Sequence, residues 1–314
     1  MIETVLVYHP DWAVHAADLL RRREPGLAVR AAATAAELET QIADADALLT
    51  SQNLPLDPLA RAARLRWVQL TAAGADRIVQ APHLARHVRI TRLVGTFGPR
   101  MAEYAFAYAL ALTQDVPRVL RQQAQRRWEP FRPRWLMGRT LLLVGVGEIG
   151  RAAGRLGRAL GMRVLGVARH ARRLPGADAV LPVDRLREAL AQADLVIVTV
   201  PATRASRGLF GPDEFAAMRD DAVFINMGRG AVVQEPALVE GLRRGRPRWA
   251  VLDVFEQEPL PADSPLWSLP NAIVTPHLAG PTLPEEAVDA FCENLARLRD
   301  GRRLRHVVHR ARGY

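Results

Sequence analysis

Three polar residues punctuate the last third of this 314-residue chain, each close behind a short apolar run. Arg229 stands in Asn226-Met227-Gly228-Arg229-Gly230, Glu258 in Val254-Phe255-Glu256-Gln257-Glu258-Pro259, and His277 in Thr275-Pro276-His277. An imidazole titrates near neutrality and can give or take a proton. A carboxylate beside it favours the imidazolium and fixes its tautomer. An arginine can grip a carboxylate through two parallel hydrogen bonds and polarise a neighbouring carbonyl. Together the three suit protonation of an oxygen that gains negative charge next to a bound carboxylate. Taken singly they have plainer explanations: a surface charge, a loop carboxylate before proline, a turn histidine. What unites them is position, because the apolar runs Ala222 to Asn226, Arg248 to Asp253 and Ala272 to Thr275 read as successive buried strands. Ligands of open α/β sheets bind outside the carboxyl ends of such strands.

A source of reducing equivalents is written further upstream. Thr140 to Val144 is an apolar run that leads into Gly145-Val146-Gly147-Glu148-Ile149-Gly150, a G-x-G-x-x-G spacing followed by a helical stretch from Arg151 to Leu160. In a strand–turn–helix unit the first glycine permits the turn and the second admits a pyrophosphate. The third lets the helix lie close on the strand, and the helix amino terminus faces the phosphates. Glycine-rich turns also close ordinary βα units, so the motif gains weight only from its surroundings. With a nicotinamide at this edge, a hydride delivered to a 2-oxo acid leaves an alkoxide, and His277 is placed to protonate it. The next strand, Arg163 to Val167, is followed by Ala168-Arg169-His170-Ala171-Arg172-Arg173, with no carboxylate before Asp178. A site for NAD places an acid here to bind the ribose hydroxyl, whereas arginine accommodates the extra phosphate of NADP. NADP(H) is therefore the expected cofactor, with NAD(H) possible. The competing explanation is that these arginines decorate a loop in an arginine-rich chain.

The elements that must position these groups alternate along the whole sequence. Thr4 to Val7, Leu27 to Ala31, Ala47 to Thr50, Arg66 to Leu70 and Val88 to Thr91 read as strands. Trp12 to Arg23 and Thr34 to Ile42 between them read as helices, the second one capped. Gly95 to Pro99 is a composition break. Beyond it Met101 to Thr113 is a helix with apolar residues nearly all round, which suits either subunit contact or burial within its own domain. Pro117 separates it from a polar helix running to Trp128. A second series then supplies strands at Leu141–Val144, Arg163–Val167, Leu195–Val200, Ala222–Asn226, Arg248–Asp253 and Ala272–Thr275. Helices intervene at Arg185–Ala191, Asp213–Met218 and Glu235–Arg244, and Pro284 to Leu298 is expected to return to the first domain. The predicted class is α/β, two doubly wound parallel-sheet domains. A flavodoxin-like substrate domain takes residues 1–96 and 282–314, and a Rossmann dinucleotide-binding domain takes 97–281.

Composition excludes several other classes. Half the residues are hydrophobic (49%) and no run reaches the length of a membrane span. The start, Met1-Ile2-Glu3-Thr4, has no basic region leading into an apolar segment, and the single cysteine, Cys292, fits a reducing compartment. A cytoplasmic protein without a membrane partner is expected. The net charge of +10 comes from 43 basic residues, all arginine. They are dispersed among acids and form no long basic block, which favours a solvated surface over a nucleic-acid partner. No metal site is expected.

The quoted motifs, with Leu252-Asp253-Val254-Phe255-Glu256-Gln257-Glu258-Pro259-Leu260, resemble those of the D-isomer-specific 2-hydroxyacid dehydrogenases over nearly the whole chain. The resemblance implies that Arg229 binds and orients substrate, that Glu258 pairs with His277, and that His277 is the acid/base and touches both substrate and cofactor. It implies a cofactor set of Gly145 to Gly150, the arginine-bearing loop, Val200, Pro201, Met227, Gly228, Arg229 and Gly280, with Asp253 near the nicotinamide carboxamide. It also implies a homodimer formed through the nucleotide domain. Within the family, Met101-Ala102-Glu103-Tyr104, the arginine-bearing loop, Pro261 to Trp267 and Arg310-Ala311-Arg312-Gly313-Tyr314 look most like the bacterial A type of glyoxylate/hydroxypyruvate reductase. In the substrate loop Thr71-Ala72-Ala73-Gly74-Ala75-Asp76, many relatives carry a second glycine, and here the amides of Ala73 and Gly74 are the expected carboxylate donors. Phe97 and Trp135 are further candidates to line the cleft. The same family includes corepressors that use dinucleotide binding as a switch. A binding protein of that kind could keep every motif, and turnover separates the two. A nucleic-acid binder would instead lose affinity steeply with salt.

Overall fold

The computed structural model describes residues 2–171 and 174–311. The chain divides into two compact units, Met1–Thr96 with Pro281–Tyr314, and Phe97–Gly280. No helix among the described residues is long and apolar enough to cross a membrane.

The first unit is built on β1 (Thr4–Tyr8), α1 (Ala13–Arg23), β2 (Ala28–Ala32), α2 (Ala35–Gln41), β3 (Ala47–Thr50), β4 (Trp67–Leu70), α3 (Asp76–Val79) and β5 (Arg89–Thr91). All strands are parallel, in the order β2-β1-β3-β4-β5, the flavodoxin-like arrangement. β3 and β4 are buried along their whole length and are apolar apart from the buried Thr50 and Gln69. Thr34 caps α2 in a reciprocal box with Glu37. The helix Pro284–Arg299 belongs to this unit: Ala287, Val288, Phe291 and Leu295 share a core with Ala13, Ala16, Ala17 and Leu20 of α1. Phe291 stacks on Trp67 with ring centroids 4.4 Å apart.

The second unit opens with α4 (Phe97–Thr113) and α5 (Val116–Ala124). It continues with β6 (Thr140–Val144), α6 (Glu148–Ala159), β7 (Arg163–Ala168), β8 (Ala179–Pro182), α7 (Leu186–Leu190), β9 (Leu195–Val198), α8 (Pro212–Ala216), β10 (Val223–Asn226), α9 (Glu235–Arg243), β11 (Trp249–Leu252) and β12 (Ala272–Val274). The sheet is parallel throughout, in the order β12-β11-β10-β9-β6-β7-β8. Counted from β6, that is the doubly wound 3-2-1-4-5-6 order with one further strand, and its direction reverses between β6 and β9.

Three details differ from the sequence expectation. β8 was not anticipated, because a four-residue strand that ends in proline is tolerated only at a sheet edge, which is where it pairs with β7. Only Gly95 and Thr96 of the composition break are irregular, since Phe97, Gly98 and Pro99 form the first turn of α4, where proline loses no helical hydrogen bond. The strand ending at Val200 stops at Val198. α4 packs on α6, with Gly98 facing Ala152 and Phe106 facing Gly157, so much of its apolar surface is covered within its own unit.

Candidate active site

The carboxyl ends of β10, β11 and β12, neighbours in one parallel sheet, carry Arg229, Glu258 and His277 in the loops that follow. The Arg229 loop is braced by the last residue of β10. Asn226 Oδ1 accepts from Gly228 N at 3.1 Å, and Asn226 Nδ2 donates to the Arg229 carbonyl at 3.1 Å. Both flanking glycines are steric requirements. A Cβ on Gly228 would lie 2.9 Å from the Val200 carbonyl oxygen, and one on Gly230 would lie 1.8 Å from the Phe255 carbonyl carbon. The motif therefore presses the loop onto its two neighbours and leaves Arg229 as its only charged side chain. Arg229 Nη1 donates to the Gly228 carbonyl at 2.7 Å, and the residue is half-buried.

Glu258 is folded back on its own loop, Oε1 accepting from Phe255 N at 3.0 Å. Its other oxygen lies 2.8 Å from His277 Nδ1. Burial pushes the Glu258 carboxyl up, but hydrogen bonds from His277 and Phe255 and the positive charges of His277 and Arg229 hold it below the ordinary glutamate range. The Glu258 hydrogen bond raises the His277 pKa above the usual imidazole value. Burial and Arg229 oppose the rise, and the charges of Glu258 and Asp253 add to it. With Nδ1–H donating to an ionised carboxylate, Nε2 is the nitrogen left to exchange a proton.

His277 has φ +51°, a left-handed backbone that costs a non-glycine residue about 1–3 kcal/mol and persists only where its surroundings fix it. The fixing group is Asp253, 1% exposed, which accepts from Leu278 N at 2.8 Å, Ala279 N at 2.9 Å and Thr275 Oγ1 at 2.6 Å. Thr275 Oγ1 is in turn 2.7 Å from the buried Tyr104 hydroxyl of α4. Asp253 thus has a structural task beside the one expected of it: Oδ1 accepts two of these bonds and Oδ2 one, and together they hold the His277 turn. Tyr104 and Thr275 carried no assigned role in the sequence. The available signal was a tyrosine on the apolar side of α4, since a buried phenol needs a hydrogen-bond partner.

Gly145 to Gly150 follow β6 at the same edge. Gly145 has φ +105°, and Thr199 Oγ1 donates to its carbonyl at 3.0 Å. A Cβ on Gly150 would fall 2.0 Å from that carbonyl, so Gly150 closes the turn itself. The close approach of helix to strand belongs instead to Gly154 and Gly157, whose added Cβ atoms would meet Leu143 and Leu141 of β6. Gly147 precedes α6 without a capping side chain, and a Cβ there would meet nothing within 4 Å. The helix end is thereby open to an anion. Val146 is buried, Ile149 is half-buried, and Glu148 accepts from Gly98 N at 3.0 Å, a link to α4. Arg169 and His170 are exposed just past β7; Arg172 and Arg173 lie outside the described residues. Asp178, the first carboxylate after that loop, accepts from Val164 N at 2.7 Å and Arg158 Nη1 at 3.0 Å, at the other end of β7. Val200 and Pro201 are half-buried after β9, Met227 is buried after β10, and Gly280 rests against Met101 and Phe97. Trp135 is placed elsewhere: it lines a small cavity with Leu195 and Val223, the first residues of β9 and β10, at the amino edge of the sheet.

In the first unit, the carbonyls of Thr71, Ala72 and Ala73 accept from Thr282 Oγ1 (2.7 Å), Leu93 N (3.2 Å) and Arg92 Nη1 (2.9 Å). The amides of Ala73 and Gly74 have no partner among the described residues, so the loop presents donors and can accept a carboxylate.

A family model, D-isomer specific 2-hydroxyacid dehydrogenase, NAD binding domain, matches residues 106–279. The chain belongs to this family of dehydrogenases. A solved D-isomer specific 2-hydroxyacid dehydrogenase family protein from Aeromonas salmonicida is 38% identical, covers 99% of this chain and 100% of its own, and superposes with a TM-score of 0.92. A D-isomer specific 2-hydroxyacid dehydrogenase from Xanthobacter autotrophicus, solved in complex with NADPH and MES, is 32% identical with 100% of each chain covered and a TM-score of 0.90. Glyoxylate/hydroxypyruvate reductase A of Salmonella typhi is 30% identical over 323 residues, 99% of each chain. A nicotinamide dinucleotide is the cofactor of such a dehydrogenase, and the turn from Gly145 to Gly150 fits one: the backbone is unobstructed at Gly147 and the α6 terminus is uncapped.

Proposed function

We propose that this dehydrogenase reduces small 2-oxo acids, glyoxylate or hydroxypyruvate first, to 2-hydroxy acids of the D series where a stereocentre forms. The observation that carries the reading is the His277–Glu258 pair, 2.8 Å apart, with Arg229 near enough to lower the pKa of both. A nicotinamide dinucleotide held at the turn from Gly145 to Gly150 would supply the hydride for the carbonyl carbon of the substrate. Arg229 holds the substrate carboxylate and draws electron density toward the adjacent carbonyl oxygen. As that oxygen gains charge, His277 gives it the Nε2 proton and is left neutral, still oriented by Glu258 through Nδ1. Solvent then restores the proton. Because the donor must be protonated, reduction is fast below the His277 pKa and falls as pH rises through it.

NADP(H) is proposed as the preferred cofactor. Arg169 has no hydrogen bond or ion pair among the described residues, and Asp178 is tied to the far end of β7. A spectrophotometric panel of 2-oxo acids against NADPH and NADH is the direct test. Turnover should favour NADPH, and Arg169→Ala should lower kcat/KM for NADPH by about 10- to 100-fold, one or two charge-assisted hydrogen bonds, with little change for NADH. Equal efficiency with both cofactors in the parent enzyme would remove the preference, and no turnover with any 2-oxo acid would remove the activity.

A homodimer is proposed through the second unit, where Leu120 is 60% exposed, Trp128 95% and Met137 77%. Apolar groups in such numbers suit a protein interface. Light scattering after gel filtration should give about twice the 34.7 kDa chain mass, and Leu120→Arg with Trp128→Arg should halve it. A parent protein that elutes as a monomer at micromolar concentration refutes the proposal.

A further inference from the structure

We infer that Tyr104 is a positioning residue for His277, acting through a buried relay of two hydroxyls and one carboxylate. The inference rests on the reading of His277 as proton donor. The direction of each hydrogen bond in the relay follows from chemistry. An ionised Asp253 can only accept, so Thr275, 2.6 Å away, spends its single hydroxyl proton there. Thr275 Oγ1 must then be the acceptor from Tyr104, 2.7 Å away, and the phenol is the donor. The competing acceptor for the threonine proton is the Leu252 carbonyl at 3.5 Å, a much poorer contact.

The Tyr104 phenol therefore fixes the rotor of Thr275, and Thr275 completes the shell of Asp253. Asp253 then uses both oxygens to hold the amides of Leu278 and Ala279, the two residues after His277. All three relay side chains are buried, at 9%, 6% and 1% exposure, so water does not substitute for a missing donor. The turn it secures is the one in which His277 adopts its left-handed backbone. Release of that turn lets the imidazole drift from Glu258, whose hydrogen bond is the largest cause of the raised His277 pKa. The charged groups that act on the imidazole within this unit are Glu258, Arg229 and Asp253, and none of them is altered by removal of the phenol oxygen.

The test uses the full chain in five forms: parent, Tyr104→Phe, Thr275→Val, Thr275→Ser and, for assignment alone, His277→Gln. Titration of the His277 ring signals by NMR, assigned against His277→Gln, reads the position of the imidazole without turnover. Tyr104→Phe and Thr275→Val should lower the His277 pKa toward that of a free imidazole. Both should also reduce kcat on the alkaline side about tenfold, with KM for the 2-oxo acid nearly unchanged. Thr275→Ser, which keeps the hydroxyl, should restore both to parent values. An unchanged His277 titration in Tyr104→Phe overturns the relay, including the case where only the melting temperature falls. A Thr275→Ser variant that behaves like Thr275→Val overturns it as well. If the parent turns over no 2-oxo acid, the proposed activity fails while the titration still decides the relay. Thr275→Val is the variant most exposed to misfolding, and the isosteric Tyr104→Phe gives the same answer without it.

Discussion

Replacing His277 with alanine should lower kcat for 2-oxo acid reduction by about 10²- to 10⁴-fold, the contribution of a positioned general acid. Affinity for the reduced cofactor, measured by fluorescence titration, should change little, since the glycine turn and the α6 terminus are untouched. A companion variant separates the two members of the pair. Glu258→Gln removes the carboxylate charge and weakens the bond at Nδ1, the first and largest cause of the elevated His277 pKa. The donor then loses its proton at lower pH, and the alkaline limb of the kcat profile should move toward lower pH. The sign is fixed: a group held protonated by its partner gives up that proton sooner when the partner goes. Single-turnover measurements with NADPH across the pH range check both outcomes. Wild-type rates in His277→Ala would refute the donor role, and an unmoved limb in Glu258→Gln would refute the pairing as its cause.

Legibility in the sequence followed burial. β3, β6, β9 and β10 are covered on both faces, so each is an apolar run without alternation, and the polar residues that end those runs are conspicuous. Arg229, behind the fully buried β10, stood out for that reason, whereas Glu258 and His277 were legible through their motifs, since β12 before His277 is a half-buried edge strand. β8 did not, because an edge strand need bury only part of its surface and Pro182 ends it. The use made of Asp253 was hidden differently. Its position at a strand end suggested a ligand contact, and its bonds to the Thr275 hydroxyl and to backbone amides 25 and 26 residues downstream are contacts that spacing alone does not indicate. Tyr104 lies 171 residues from Thr275, on a helix whose apolar character pointed only to packing. Trp135 was misjudged as a lining residue because chain order does not tell which edge of a sheet a connection reaches. Motifs that require short-range geometry were readable, whereas bonds made across the fold were not.

Arg229 provides the second large effect, and the sign of its pH signature is opposite to that of Glu258→Gln. Arg229→Ala removes both the carboxylate grip and the charge that polarises the carbonyl, and kcat/KM should fall by about 10²- to 10³-fold, the loss expected for one preorganised donor at a developing oxyanion. Its positive charge also depresses the His277 pKa, so its removal should move the alkaline limb of the profile to higher pH. Arg229→Lys isolates geometry from charge. Lysine keeps the positive charge, so the limb should stay near its parent position, but a point charge has no fork to match a carboxylate, and most of the loss in kcat/KM should remain. The loop itself should tolerate both changes, because Asn226 braces it through backbone groups at Gly228 and Arg229 and the glycines on either side are unaltered. Steady-state kinetics of the two variants with glyoxylate and NADPH distinguish these outcomes. If Arg229→Lys retains parent kcat/KM, two-pronged recognition of the substrate carboxylate is wrong, and Arg229 acts only through its field on His277 and Glu258.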